Sequence, residues 1–435
     1  MFLQKSKKQK NSKSIPKKIF WILFFAIVFR LFLAPIIWHP DINNHVDWGI
    51  RFWEYGPAKF YTANVWSFTW PNQPPGTTYL FAGVRKLFEG VFDVIWMINV
   101  KIPAFPSIIA SFSETNLYQG ILKLPAILSD VGIGILIYKI LKKLGKTEKV
   151  ATWGLALWMI NPAIWYNSAV WGQYDSVINF LALLSFYLLS EKKLMLSLLI
   201  LAISLYTKAS LLIFLPIYGV IAIRQKYNWK KWFLSIVITL GVIALLTLPF
   251  SKGEPFTWLF YLFKDKIFAH QLQVITANAF NLWTVIAGIH ERPQTLPFLC
   301  LTYQYWSYII FGIAYLPLLW ISYKKQDLKT ILWVLALTAF SSFMLLTNMH
   351  ERYLFPLFPY LTILAASNSV GLIPYFLISI LSLLNLYNLW WMPKITPLID
   401  FLSYKNRFTP RILGLFNFVL YLNLYRAYIK DAKKN

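Results

Sequence analysis

The stretch His39-Pro40-Asp41-Ile42-Asn43-Asn44-His45-Val46-Asp47-Trp48 sets two carboxylates and two imidazoles close together. Pro40 suits the first turn of a helix. If a helix begins there, Asp41, Asn44, His45 and Trp48 fall on one face. Asp41 then sits at the helix N-terminus, where the macrodipole favours the ionised carboxylate. Such a group at the mouth of a membrane cavity can act as a general base. A simple helix-capping aspartate fits the same residues as well, and Asp47 is a second acid in the same loop.

A second polar stretch runs from Asn161-Pro162 through Asn167-Ser168-Ala169-Val170 to Trp171-Gly172-Gln173-Tyr174-Asp175-Ser176. Trp171, Gln173 and Asp175 offer stacking and hydrogen bonding of the kind a sugar needs; an aromatic belt with a helix cap is the plainer reading. Asn72-Gln73-Pro74-Pro75-Gly76-Thr77-Thr78-Tyr79 reads as a rigid turn leading into a helix. Lys123, Asp130, Lys208, His350, Glu351 and Arg352 lie inside or at the edges of apolar runs. Ionisable groups are costly in lipid and so point to function. Lys123 and Asp130, two helical turns apart, share a face and are expected to belong to one buried polar pair. Arg352 can grip a phosphate through two parallel hydrogen bonds, and Lys208 can add a point charge. Any one of these residues is also explained by snorkelling or packing, but their convergence on one side weakens that explanation.

These residues must be positioned by helices in a membrane. The chain has 435 residues, 58% of them hydrophobic and 14% charged, too few charges to cover a soluble protein. The apolar runs are long enough to cross a hydrocarbon core, and aromatic residues make up 18%, as belts at the membrane interface require. The expected fold is an all-α integral membrane protein with about twelve transmembrane helices, eleven to thirteen. They are expected at 19–38, 120–140, 150–167, 174–190, 194–207, 209–223, 232–250, 299–322, 330–348, 353–368, 371–390 and 411–427. Two long outer loops, 39–119 and 251–298, are expected to carry interfacial helices, with Lys86 to Ile102 as one of them. The transmembrane domain spans 19–427, between a basic tail at 1–18 and a short tail at 428–435.

The net charge of +25 would suggest nucleic acid in a soluble protein. Here the basic residues sit in short segments between apolar runs, where they set orientation and meet anionic lipid heads, so no nucleic-acid partner is expected. The positive loops place both termini in the cytoplasm of a multi-pass cell-membrane protein. All five histidines (His39, His45, His270, His290 and His350) and most acids then face outward. The single cysteine, Cys300, excludes an intrachain disulfide and a thiolate metal site.

Taken in order, these motifs resemble the GT-C superfamily of polytopic glycosyltransferases, and among them bacterial relatives of the GPI second-mannose transferase. The resemblance rests on Asp41, Pro74-Pro75, Lys123-Leu124-Pro125 with Asp130, Asn161-Pro162 and Trp171 to Asp175. It continues through Lys208, Asn278-Ala279-Phe280-Asn281-Leu282-Trp283 and His350-Glu351-Arg352-Tyr353-Leu354-Phe355-Pro356, covering roughly residues 20–365. It implies inverting transfer of a hexose, mannose first, from a polyprenyl-phosphate carrier to a hydroxyl of a glycan, lipid or protein at the outer membrane face. Asp41 would be the catalytic base. Arg352, His350 and Lys208 would hold the leaving phosphate, with His45, Asp47, Trp171, Gln173, Asp175 and Glu351 as further substrate-binding candidates. Gln73 stands where the family usually has an aromatic or similar residue, which bears on fine specificity. No Gly-rich phosphate loop points to a nucleotide-sugar donor. No cofactor or metal is required, since arginine and lysine can neutralise one phosphate, although the outer acids are of a type that binds divalent cations. The alternative is a transporter or lipid-sugar flippase, whose polar site belongs near the bilayer midplane between related halves.

Overall fold

The computed structural model describes residues 17–63, 66–269, 272–289 and 292–434. The N-terminal tail up to Pro16, His270 and His290 lie outside the described residues. The architecture is all-α apart from a hairpin of Pro297–Phe298 with Leu301–Thr302. Helices occur at all twelve positions expected from the apolar runs. Among the described residues, five are long and apolar enough to cross a membrane: Ser107–Lys143, Trp229–Ser251, Tyr303–Lys324, Leu328–Leu345 and Thr396–Lys430. Trp229–Ser251 and Tyr303–Lys324 expose most of their apolar surface, which is stable against lipid and not against water.

The helices begin where side chains can satisfy their first free N–H groups. Thr147 accepts from the Val150 N–H, Asn228 from Lys231, Thr302 from Tyr305 and Asp327 from Thr330. The expected helix 150–167 is in fact divided. Glu148–Ile160 stops at Asn161, because a residue before proline is driven from helical to extended backbone. Asn161 then caps the short Pro162–Trp165 turn, and Tyr166–Trp171 follows as a π-helix closed by Gly172 at a φ of 88°. The chain also breaks at Lys208, which is extended between the Leu194–Thr207 helix and the 3-10 turn Ala209–Phe214. Lys86 to Ile102 is not a separate element. It continues the single helix Pro75–Lys101 and adds Ile102 as its cap.

The basic loops gather at one end of the bundle. Lys143 donates to the Ser190 carbonyl and pairs with Glu191, and Lys146 donates to the Ser367 carbonyl. Asp41, Trp171, Lys208 and Arg352 gather elsewhere. Lys123, whose ammonium reaches the Ile37 carbonyl near them, lies twenty residues before Lys143 in the Tyr118–Lys143 helix, about 30 Å along its axis.

The expected pairing of Lys123 with Asp130 does not occur. The Lys123 ammonium donates to the Ala34 and Ile37 carbonyls at 2.9 and 2.8 Å. These carbonyls are left free where the first helix ends, so the lysine caps that helix. Asp130 instead accepts from Arg30 Nε at 3.1 Å and from the Ser168 and Ser176 hydroxyls, each at 2.6 Å. Arg30 and Asp130 are both fully buried. Trp158 adds an indole N–H to the Asp130 backbone carbonyl at 2.9 Å. One aspartate therefore ties the Lys17–Leu33 helix to the three elements that carry Trp158, Ser168 and Ser176. Removing one partner of a buried pair leaves the other charge uncompensated. Arg30→Met is expected to cost about 3–5 kcal/mol, read as a lower unfolding temperature in detergent, and Arg30→Met/Asp130→Asn is expected to recover most of the loss. A double variant as unstable as the single one would refute the pairing.

Candidate active site

Asp41 precedes the Ile42–Tyr55 helix at its N-cap position but makes no side-chain cap hydrogen bond. Its carboxylate turns to the polar stretch identified above. Oδ2 accepts from the Trp171 indole N–H at 3.2 Å and from the Gln173 amide, and Oδ1 accepts from the Asn44 amide at 3.3 Å. The Arg352 guanidinium lies 3.9 Å from Oδ2. Of the two readings of Asp41, the helix cap is therefore the weaker. The π-helical turn aims Trp171. The Gly172 and Gln173 N–H groups fold back on the Asn167 carbonyl at 3.1 and 3.0 Å, and a Cβ at Gly172 would meet Ile42 and Lys123 at 3.0 Å. Glycine is required there both for its positive φ and for this close approach.

Asp47 has a different task. It accepts from Arg51 Nε at 3.3 Å and from the Ser67 backbone N–H at 3.1 Å, so it clamps the loop around Ser67 to the Ile42–Tyr55 helix and stays out of the cluster. Trp171 is fully buried and Gln173 nearly so, and both touch the Asp41 carboxylate. They form no open wall for a sugar and instead orient that carboxylate. His39 stacks on Trp171 with ring centroids 4.5 Å apart, and Trp390 packs against both rings. Trp390 was not foreseen, since it lies in the last part of the chain, which reads as generic apolar helix.

Arg352 is held by Glu351 at 2.9 Å and lies over the Trp171 and Tyr353 rings at 5.7 and 5.9 Å. Lys208 Nζ meets Asp175 Oδ1 at 2.6 Å and lies 5.0 Å from the Tyr174 ring. Lys208, Asp175 and Arg352 line a cavity of about 170 Å³ with Gln73 and apolar groups that include Ile213, Ile267 and Pro356. Asp41 does not line it; Arg352 stands between the two. The Pro74-Pro75 turn helps to hold Lys208. Gly76 is packed so closely that a Cβ would come 2.8 Å from Thr207 Cα, and Thr77 donates to the Thr207 carbonyl.

The backbone of His350 forms bridges with Ala277 and Asn278. Asn278, in turn, is bound to Asn385 and Asn388: its Nδ2 donates to the Asn388 carbonyl at 2.8 Å, and Asn388 Nδ2 donates to its Oδ1 at 2.6 Å. Through this buried cluster the Asn278–Trp283 motif fixes the start of the Glu351–Leu357 turn. The His350 ring packs edge-on against Tyr353.

Burial dominates the titration of the histidines. It lowers His39 and His350 to about 3 and His45 to about 4, so all three are neutral at pH 7. As a neutral ring His350 can meet a phosphate through a hydrogen bond rather than a charge. Burial alone, the largest influence, would raise Asp41, but the Arg352 guanidinium, the neighbouring imidazoles and the Trp171 indole N–H together outweigh it and hold the carboxyl below its usual range. Burial also opposes the Arg352 charge, but Asp41 and Glu351 overcome it and keep the guanidinium protonated. Burial pushes Glu351 up. Among the described residues, no three His, Cys, Asp or Glu side chains come together closely enough to hold a metal ion.

The site is thus an ionised carboxylate, held by neutral donors, facing one guanidinium that also borders a cationic cavity. A double-mutant cycle of Asp41→Asn and Arg352→Gln, read by unfolding temperature at neutral pH, should show coupling of about 0.5–3 kcal/mol. Because the folded carboxyl is lowered, the coupling is complete above the ordinary carboxylate range and should fade as pH falls through the folded value. Additive effects at neutral pH would show that the two groups do not interact. In comparisons with known proteins, no family model and no curated protein matches the chain.

Proposed function

We propose that this chain is a multi-pass membrane glycosyltransferase that moves a hexose, mannose first, from a polyprenyl-phosphate carrier to an acceptor hydroxyl at the outer face. One observation carries the reading: Arg352 stands between the Asp41 carboxylate and a cavity that it lines with Lys208 and Asp175. In this scheme the sugar phosphate occupies the cavity and its chain lies along the apolar side. The acceptor hydroxyl approaches Asp41. Its oxygen attacks the anomeric carbon as Asp41 takes the proton, and the bond from that carbon to the phosphate oxygen breaks. The electron pair leaves on the phosphate, where Arg352 and Lys208 meet the developing charge. Attack opposite the leaving group inverts the anomeric centre. No metal is needed for this balance of charge.

The membrane arrangement that goes with it has about twelve spans, cytoplasmic termini and interfacial helices in the two long outer loops. Its supports are helices at all the expected positions and basic loops gathered at one end.

Purified protein in lipid, given polyprenyl-phosphate mannose and hydroxyl acceptors, is expected to release polyprenyl phosphate and form a glycoside. Asp41→Asn should lower kcat about 10²–10⁴-fold, as loss of a general base does. Arg352→Gln and Lys208→Met should each lower it about 10²–10³-fold, as loss of one charge-stabilising group does. A folded Asp41→Asn protein with wild-type turnover would remove Asp41 as the base. Movement of lipid-linked sugar across vesicles without product, insensitive to Asp41 and Arg352, would replace the transferase reading with the flippase.

A further inference from the structure

A cavity of about 380 Å³ lies at the end of the bundle away from Asp41. Its walls are apolar, formed by Leu183, Phe186, Ile221, Ile331 and Leu335, and its rim carries Lys143, Lys192, Arg224 and Lys226. The cations come from three different loops. Lys143 is already used, by Glu191 and the Ser190 carbonyl. Among the described residues, Lys192, Arg224 and Lys226 have no carboxylate within ion-pair distance. Lys192 and Arg224 rest instead on aromatic faces, 5.9 Å from the Tyr227 ring and 4.8 Å from the Tyr323 ring. Lys192 and Lys226 both sit at positive φ, 61° and 54°, in the turns that end their helices. Gln225, Gln326 and Ser190 add neutral hydrogen-bonding groups beside these charges.

Three unneutralised cations over an oily slot between helices match a ligand with an anionic head and a hydrocarbon tail. A soluble anion would use the rim and leave the apolar walls unmatched. A neutral lipid would use the walls and leave the cations unmatched. We propose that this cavity binds an anionic phospholipid, with its phosphate between Lys192, Arg224 and Lys226 and an acyl chain against Phe186, Ile331 and Leu335. Basic pockets between membrane helices hold anionic head groups in this way. The site is independent of the transfer chemistry and stands or falls separately from it.

The test is native mass spectrometry of the full-length protein, released from micelles containing equal phosphatidylglycerol and phosphatidylcholine of the same acyl composition. Wild type should retain phosphatidylglycerol preferentially. Lys192→Gln/Arg224→Gln/Lys226→Gln should lower that retention on the order of tenfold or more, because each surface cation contributes to attraction of an anionic lipid. The charge-keeping swap Lys192→Arg/Arg224→Lys/Lys226→Arg should preserve it. Leu335→Trp, which fills the slot without touching the charges, should lower it as well. Equal retention of the two lipids by wild type would overturn the proposal without recourse to any variant. So would unchanged retention in the neutralised triple variant, or displacement of the lipid by millimolar inorganic phosphate, which would mark a site for a free anion.

Discussion

The Asp41–Arg352 contact, 3.9 Å between guanidinium and carboxylate, is the interaction on which the candidate site turns. A guanidinium offers five N–H donors in a fixed fork. Here one nitrogen is firmly engaged by Glu351 and the contact to Asp41 is a long one. Nε is buried without a partner. Arg352 is therefore anchored in place by Glu351 and by the Trp171 and Tyr353 rings while part of its donor capacity stays uncommitted. That combination suits a group which must accept a second anion without moving far. A fully satisfied arginine would have to break strong bonds first, and an unanchored one would lose conformational entropy on binding.

The rest of the bundle can be understood as support for that one side chain. Arg352 sits just after a break between helices, where backbone groups have no helical partners of their own. They are satisfied from outside: the Ala277 N–H donates to the Met349 carbonyl at 3.1 Å, and Asn278, Asn385 and Asn388 form a closed network behind them. Lys208 sits at a second break and is held by Thr77 and Gly76 on one side and by Asp175 on the other. Trp171 ends a third irregular segment, the π-helix closed by Gly172. All three breaks converge on the same region, where the irregular backbone is buried in protein or borders the cavity.

The sequence revealed the helices because their signal is local: apolar runs long enough to cross a membrane are visible one segment at a time. The breaks at Asn161 and Lys208 were partly visible in proline and in a lysine between apolar runs. Partnership was not visible, because it is set by which helices pack together. Spacing alone placed Lys123 and Asp130 on one face, which holds, yet their partners come from other elements. Arg30 was overlooked although an arginine within an apolar run demands a counter-charge; Asp130 was the natural candidate. Asp41 and Asp47 could not be separated by type or position. They differ in what surrounds them, an indole and an amide from residues 130 or more away for one, Arg51 and a loop N–H for the other. Trp390 and the Asn385–Asn388 pair carried no motif at all, since apolar and amide residues at the end of the Leu372–Tyr387 helix are unremarkable until the helix is docked.

The arrangement around Asp41 raises a chemical difficulty and resolves it. A carboxylate that accepts from Trp171, Gln173 and Asn44 and faces a guanidinium is well stabilised, and stabilisation lowers basicity. Left so, Asp41 would be a poor proton acceptor. An anion arriving in the cavity that Arg352 lines would change this, because it would compete with Asp41 for the guanidinium charge. In the proposed reaction, every increment of charge that Arg352 gave to a phosphate would be withdrawn from the carboxylate, so Asp41 would become more basic as the leaving group became better stabilised. The neutral donors remain and hold its orientation. In the proposed reaction, coupling of this kind would make the base strong only when the donor is bound and would keep the carboxylate quiescent toward water in the empty site.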